Sequence, residues 1–134
     1  MKLLATQKEL ADFAQSKSPR FKGAPYYIGR AFPSAHRWEI WKGTHIGDEV
    51  ILDPAASLAI WDHSPDGFSW GYGGSAPAQL ALAILLDATG DADFAVEWHQ
   101  DFKWKYIAKL NSFVGWIMTV AFVEEWAATP ERVQ

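Results

Sequence analysis

The stretch from Ala78 to Ala88 is apolar on nearly every face, with only Gln79 and Asp87 polar. A helix that is hydrophobic all round has no side to offer water, so it belongs between other layers of structure. Its longest unbroken apolar run, Leu80 to Leu86, is too short to span a bilayer, which leaves burial within protein. Whatever precedes and follows this helix must therefore wrap it. With 134 residues the chain has enough material for one domain that does so.

The flanks carry clear helix punctuation. Pro77 falls in the first turn, where its missing N–H does no harm, and Gly90 is placed as the glycine just past a C-terminus. Asp91 can cap a second helix at once, with Phe94, Trp98, Phe102 and Tyr106 at i, i+4 spacing as its core-facing seam. So short a link makes the two helices an antiparallel hairpin. Glu97, Asp101 and Lys105 form a solvated ladder with an i, i+4 pair. Gly115-Trp116 breaks the helical pattern, and Thr119 caps a last short helix through Trp126. Near the start, Thr6-x-x-Glu9 is a capping box with Ala5 and Leu10 at the staple positions, which predicts a helix from Gln7 to Gln15 ended by Ser18-Pro19.

Between Tyr26 and Tyr72 the texture is that of strands. Short aromatic and β-branched stretches (Tyr26 to Ile28, Trp38 to Trp41, Val50 to Leu52, Leu58 to Trp61, Phe68 to Tyr72) alternate with Gly, Pro and Asp. Ser64-Pro65-Asp66-Gly67 is strong turn chemistry and should join the last two strands as a hairpin. The expected fold is α+β: a short N-terminal helix, a small antiparallel sheet of four to five strands, then a helical hairpin and a short C-terminal helix covering one face.

Composition closes several routes. Hydrophobic residues make up 49% and charged residues 21%, so disorder is excluded as the main state. No cysteine is present, hence no disulfide framework, thiolate nucleophile or Cys-based zinc site. His36, His45, His63 and His99 lack metal-ligand spacing, and no metal or other cofactor is expected. The apolar start Leu3-Leu4-Ala5 stops at Thr6, short of a secretory h-region, which predicts a soluble cytoplasmic protein without membrane contact.

The densest motif runs from His63 to Ala83, His-Ser-Pro-Asp-Gly-Phe-Ser-Trp-Gly-Tyr-Gly-Gly-Ser-Ala-Pro-Ala-Gln-Leu-Ala-Leu-Ala. Within it Gly71-Tyr72-Gly73-Gly74-Ser75-Ala76 fits one form of the dinucleotide fingerprint, but the helix runs straight into another helix rather than into a parallel strand, so that assignment is rejected. Two accounts of the turn stay open. Backbone N–H groups of Gly73, Gly74 and Ser75 at a helix start make a small-ligand or anion site, with His63, Asp66 and Ser75 as its polar set. Alternatively the glycines only turn the chain into the buried helix, and Gly74 or Ser75 caps it. No Lys or Arg between Lys42 and Lys103 helps to hold an anion, and Ser75 lacks a nucleophile-elbow sequence, so the balance leans away from an enzyme.

The net charge of −4 hides an asymmetry. Residues 1 to 45 hold eight Lys and Arg against three carboxylates, net +5, while residues 46 to 134 hold four against thirteen, net −9. Lys17, Arg20, Lys22, Arg30, Arg37 and Lys42 are interleaved with Phe21, Tyr26, Tyr27, Phe32, Trp38 and Trp41, the pattern of a single-strand nucleic-acid groove. Internal pairing of the basic segment with the acidic body, or head-to-body contact in a homodimer, satisfies the same charges and is the preferred account.

The motif also resembles the signature of a bacterial family of unknown function, domain of unknown function family 6166. Asp53-Pro54 before the motif, Gln100-Asp101-Phe102-Lys103 after it, Tyr27-Ile28-Gly29-Arg30 and Trp116-x-Met-Thr119 extend the resemblance over about residues 26 to 126. It implies one domain over 1–134, with a family-like core at 25–129 after an N-terminal extension at 1–24, and the stretch from His36 to Gly47 looks additional. The resemblance implies no activity. It suggests an accessory protein of bacteria, phages or plasmids, with roles such as counter-defence. The aromatic excess (eight Trp, eight Phe and four Tyr), the charge asymmetry and the absence of a credible catalytic set lead to a non-enzymatic protein-binding protein as the expected function. The candidate binding residues are Arg30, Arg37, Trp38, Trp41, His63, Asp66, Trp70, Gly73, Gly74 and Ser75.

Overall fold

The apolar helix lies where its sequence demands: every residue from Pro77 to Leu85 is buried. The structure is a computed structural model that describes residues 3–15, 23–45 and 47–133. In chain order the elements are β1 (Leu3–Leu4), α1 (Gln7–Gln15), β2 (Tyr26–Phe32), β3 (Arg37–Gly43), β4 (Val50–Ile51), α2 (Ala55–Ile60), α3 (Ser75–Thr89), α4 (Ala92–Lys105), β5 (Trp116–Thr119) and α5 (Val120–Ala128). The five strands form one antiparallel sheet in the order β1-β5-β2-β3-β4. The fold class is α+β.

The helix signals act as their chemistry requires. Glu9 N–H donates to Thr6 Oγ1 and Thr6 N–H donates to Glu9 Oε1, both at 3.1 Å, closing the capping box of α1. Gly90 ends α3 in the left-handed region at φ 68°, where a side chain would be strained. Asp91 accepts from Phe94 N–H at the start of α4, and Thr119 accepts from Phe122 N–H at the start of α5. Lys105, however, pairs with Glu131, while Asp101 and Glu97 are both held by Arg132, whose guanidinium lies 3.7 Å over the Trp98 ring. The segment after α5 is thereby fastened along α4, and the expected i, i+4 pair does not form.

The sheet departs from its expected membership in two places. Leu58 to Trp61 is no strand, because Asp53 Oδ1 accepts Ala55 N–H and starts α2 there. Phe68 to Tyr72 forms no ladder, and the Ser64–Gly67 turn joins no strand pair. Phe68, Ser69 and Trp70 are all buried, so this segment crosses the core rather than lining one face of a sheet. The missing strands are supplied by β5, inserted between β1 and β2, and by β1 at the edge.

One face of the sheet, with Tyr27, Ile40, Trp116 and Met118, packs into the core around α3, α4 and α5. The other gathers Leu4, Tyr26 and Ile117 with Ile28, and Leu10 of α1 packs on them. Tyr27 OH donates to Asp87 Oδ2 at 2.6 Å and Lys42 Nζ reaches the same oxygen at 2.8 Å, tying β2 and β3 to the end of α3. Burial and the Asp87 carboxylate push the Tyr27 phenol far above its usual range.

Candidate functional site

The motif begins on a loop pinned from below by a buried amide. Gln79, wholly buried on α3, accepts from His63 N–H at 2.7 Å and Ser64 N–H at 3.2 Å through Oε1. Its Nε2 donates to Ser57 Oγ at 3.0 Å, and Ser57 Oγ donates to Pro54 O at 2.9 Å. Every arm of the amide that points at α2 or the loop is thus occupied, as burial of a polar group demands.

Above this anchor two imidazoles meet. His99 of α4 points Nδ1 at Val96 O, 2.8 Å away, and at Ala95 O, 3.1 Å away. Both partners are carbonyls, so Nδ1 carries the proton and Nε2 presents a lone pair. His63 Nε2 lies 2.9 Å from that lone pair and is the donor, which leaves His63 Nδ1 as an acceptor. Trp61 stacks on His63 at 4.5 Å between centroids. One turn further along α4, buried Lys103 donates to Gly73 O at 3.0 Å, with its ammonium 4.3 Å over the Trp104 ring. A Cβ on Gly73 would come within 2.1 Å of that ring, so only glycine allows Trp104 to lie on the turn.

Burial lowers the basicity of both imidazoles, and the neighbouring Lys103 charge lowers it further; Asp62 works the other way on His63. Below the usual histidine value near 6.5 the unfolded chain therefore binds more protons than the folded one. Stability from this pair is full above that pH and is lost as pH falls through and below it. The urea midpoint should decline from pH 7.5 to 5, and His99→Gln should flatten the decline. Parallel curves for the two proteins would overturn the assignment.

On the other side of the loop is a cleft of about 500 Å³. Its walls are the β2–β3 turn (His36, Arg37, Trp38), the motif (Ser64, Asp66, Phe68, Ser69, Tyr72) and the segment after α4 (Ser112, Phe113). Trp38 Nε1 donates to Ser112 O at 2.7 Å, and buried Trp70 donates from Nε1 to Asn111 O and Val114 O, so two indoles hold the third wall in place. Tyr72 is 49% exposed and Phe113 73% exposed at the rim. A second, apolar cavity of about 460 Å³ lies on the α1 side of the sheet, lined by Leu10, Ile28, Phe32 and Ile117 with Arg30 and Glu49 among its residues.

A model of the Family of unknown function (DUF6166) matches residues 37–129. The chain belongs to this family. No curated protein and no solved structure matches the chain. The DUF6166 match takes in the whole motif, the histidine pair and all three walls of the cleft apart from His36. It also takes in most of the His36 to Gly47 stretch that looked additional, within which Arg37–Gly43 is β3, paired with β2 and β4.

Arg30 pairs with Glu49 at 2.7 Å and Arg37 with Glu39 at 3.1 Å, which together with Lys42 on Asp87 gives each of these three cations an internal carboxylate. Lys17, Arg20, Phe21 and Lys22 lie outside the described residues. Trp41 and Arg30 share the α1 side of the sheet, with the guanidinium 5.4 Å from the ring, whereas Trp38 packs against the core on the opposite side. The interleaved cations and rings are therefore divided between two faces. Trp70 is fully buried against Trp116 and belongs to the core, with no surface for a ligand.

Gly74 is the N-cap of α3 without a side-chain hydrogen bond, and Ser75 is the first helical residue. His63, Asp66 and Ser75 are not joined into a triad, since the His63 ring engages Trp61 and His99 instead. Lys103 brings a cation to the turn, but directs it at the Gly73 carbonyl. Among the described residues no group of three or more His, Asp or Glu is placed to hold a metal ion, and no helix is long and apolar enough to cross a membrane. His99, Lys103, Tyr72 and Phe113 were not singled out by the sequence. His99 and Lys103 share a helix face at i, i+4, yet nothing local marks that face as the one opposite His63.

Proposed function

We propose that this chain is a protein-binding module that takes its partner into the cleft between the β2–β3 turn and the motif loop. The observation that carries this reading is the pair of exposed rings, Tyr72 and Phe113, at the rim of a cleft walled in part by the family motif. Aromatic and arginine side chains in such concave settings supply most of the energy in protein interfaces. Internal pairing of Arg30, Arg37 and Lys42 weighs against a nucleic-acid surface there. A small cytoplasmic accessory protein of a mobile element, acting by counter-defence, fits a domain that binds rather than catalyses.

A photo-reactive amino acid placed at Phe113 is expected to cross-link a discrete partner in the host, while the same group at Glu125 on α5 is not. Tyr72→Ala should weaken capture roughly thirtyfold, the effect of losing about 2 kcal/mol at an interface hot spot. Equal cross-linking from both positions, or none from Phe113, would defeat the proposal. A cross-link to a second copy would identify the partner as the chain itself.

A further inference from the structure

The charges around the cleft are unevenly spent. Its fixed cation, Arg37, is neutralised by Glu39 at 3.1 Å and its guanidinium rests 4.3 Å from the Phe32 ring. Its carboxylate, Asp66, is exposed on the Ser64–Gly67 turn and makes no hydrogen bond or ion pair with any described residue. The unspent charge of the cleft is therefore negative, within a part of the chain, residues 46 to 134, that carries −9. The hydroxyl side chains in the lining, Ser64, Ser69 and Ser112, add no charge of either sign.

The same cleft is lined by two exposed rings, Tyr72 and Phe113, and aromatic rings attract cations. Tyr72 lies close to Gly74, where a Cβ would come within 2.6 Å of the ring, so the glycine leaves the space this ring occupies. Phe113 is the most exposed large apolar side chain among the described residues, at 73%. A carboxylate and exposed aromatic rings in one cleft are the chemistry that receives a planar guanidinium, which pairs with carboxylate oxygens and stacks on rings.

Resting on the protein-binding reading, we infer that the partner segment offers an arginine side chain, which lies between Tyr72 and Phe113 and pairs with Asp66. An acidic or purely apolar segment leaves Asp66 without a counter-charge and is disfavoured at this site. So is pairing with a second copy through an acidic surface of its own.

The test uses fluorescein-labelled tetra-arginine and tetra-glutamate peptides with the full chain, followed by anisotropy at low salt. Wild type should bind tetra-arginine and not tetra-glutamate. Asp66→Asn should weaken tetra-arginine at least fivefold, and Phe113→Ala comparably, whereas Glu125→Gln, an equal change of charge on α5, should leave it within twofold. Both sites are exposed, and unchanged melting temperatures confirm that the variants fold. Equal losses in Asp66→Asn and Glu125→Gln, no binding of tetra-arginine, or preference for tetra-glutamate would each overturn the inference. The cross-linking experiment repeated with Asp66→Asn separates the two proposals. Capture that survives this change but is lost in Tyr72→Ala keeps the cleft as the protein-binding site and removes the arginine.

Discussion

Trp70→Ala is expected to lower the unfolding free energy by about 4 kcal/mol, the cost of deleting a buried indole whose cavity cannot fully collapse. The side chain is fully buried, meets Trp116 edge to face at 5.5 Å, and supplies the N–H that Asn111 O and Val114 O share. Urea denaturation measures the loss directly. Trp70→Phe should cost less, at about 2 kcal/mol, because it keeps one buried aromatic ring while losing the second ring and the N–H. The alanine variant should also loosen the third wall of the cleft and weaken partner capture beyond what its stability loss explains. A loss under about 1.5 kcal/mol in Trp70→Ala would mean that the motif segment does not cross the core as described.

Gln79→Leu should cost about 3 kcal/mol even though leucine suits the packing around α3. The substitution leaves the N–H groups of His63 and Ser64 without their acceptor, while Ser57 Oγ loses one incoming bond but still donates to Pro54 O; each buried donor left unmet costs about 1–3 kcal/mol. The loss has a local signature. Hydrogen exchange at the His63 and Ser64 amides should accelerate well before that of the α3 backbone, because the loop opens while the helix holds. Uniform acceleration across both, or a cost below about 1 kcal/mol with water taking the place of the amide, would show that Gln79 is not the anchor.

Helices α1, α3, α4 and α5 were readable in this chain because their ends are written locally, whereas α2 lies where a strand was expected over Leu58 to Trp61. Thr6 with Glu9, Gly90 with Asp91, and Thr119 each satisfy backbone groups within a few residues of themselves, so sequence spacing is sufficient evidence. Strands are defined by distant partners, and there the pattern misled. Phe68 and Trp70 alternate with smaller residues as a half-buried strand would, yet Ser69 between them is buried as well. Trp116 to Thr119 is buried at all four positions, so it lacks the alternation by which an antiparallel strand is recognised. The site divides along the same line. Asp66 and the turn around it were visible as turn chemistry, whereas the His63–His99 contact and the placing of Phe113 in one cleft with Tyr72 depend on how α4 and the segment after it return to the motif.

The position of β5 sets the order in which this protein can be assembled. The β2–β3 ribbon closes through a short turn and can form early, on the timescale of a hairpin. Its other edge, Tyr26 to Gly29, has no partner until residues 116–119 arrive, and β1 cannot dock before then because β5 is the strand it pairs with. During synthesis on the ribosome the α3–α4 hairpin is thus complete while one side of the ribbon still presents unpaired backbone groups. Such an edge invites pairing with other chains, so the interval before β5 emerges is the period of greatest aggregation risk. Refolding limited by this late insertion should fall in the millisecond-to-second range of non-local topologies, slower than the helical content alone would suggest.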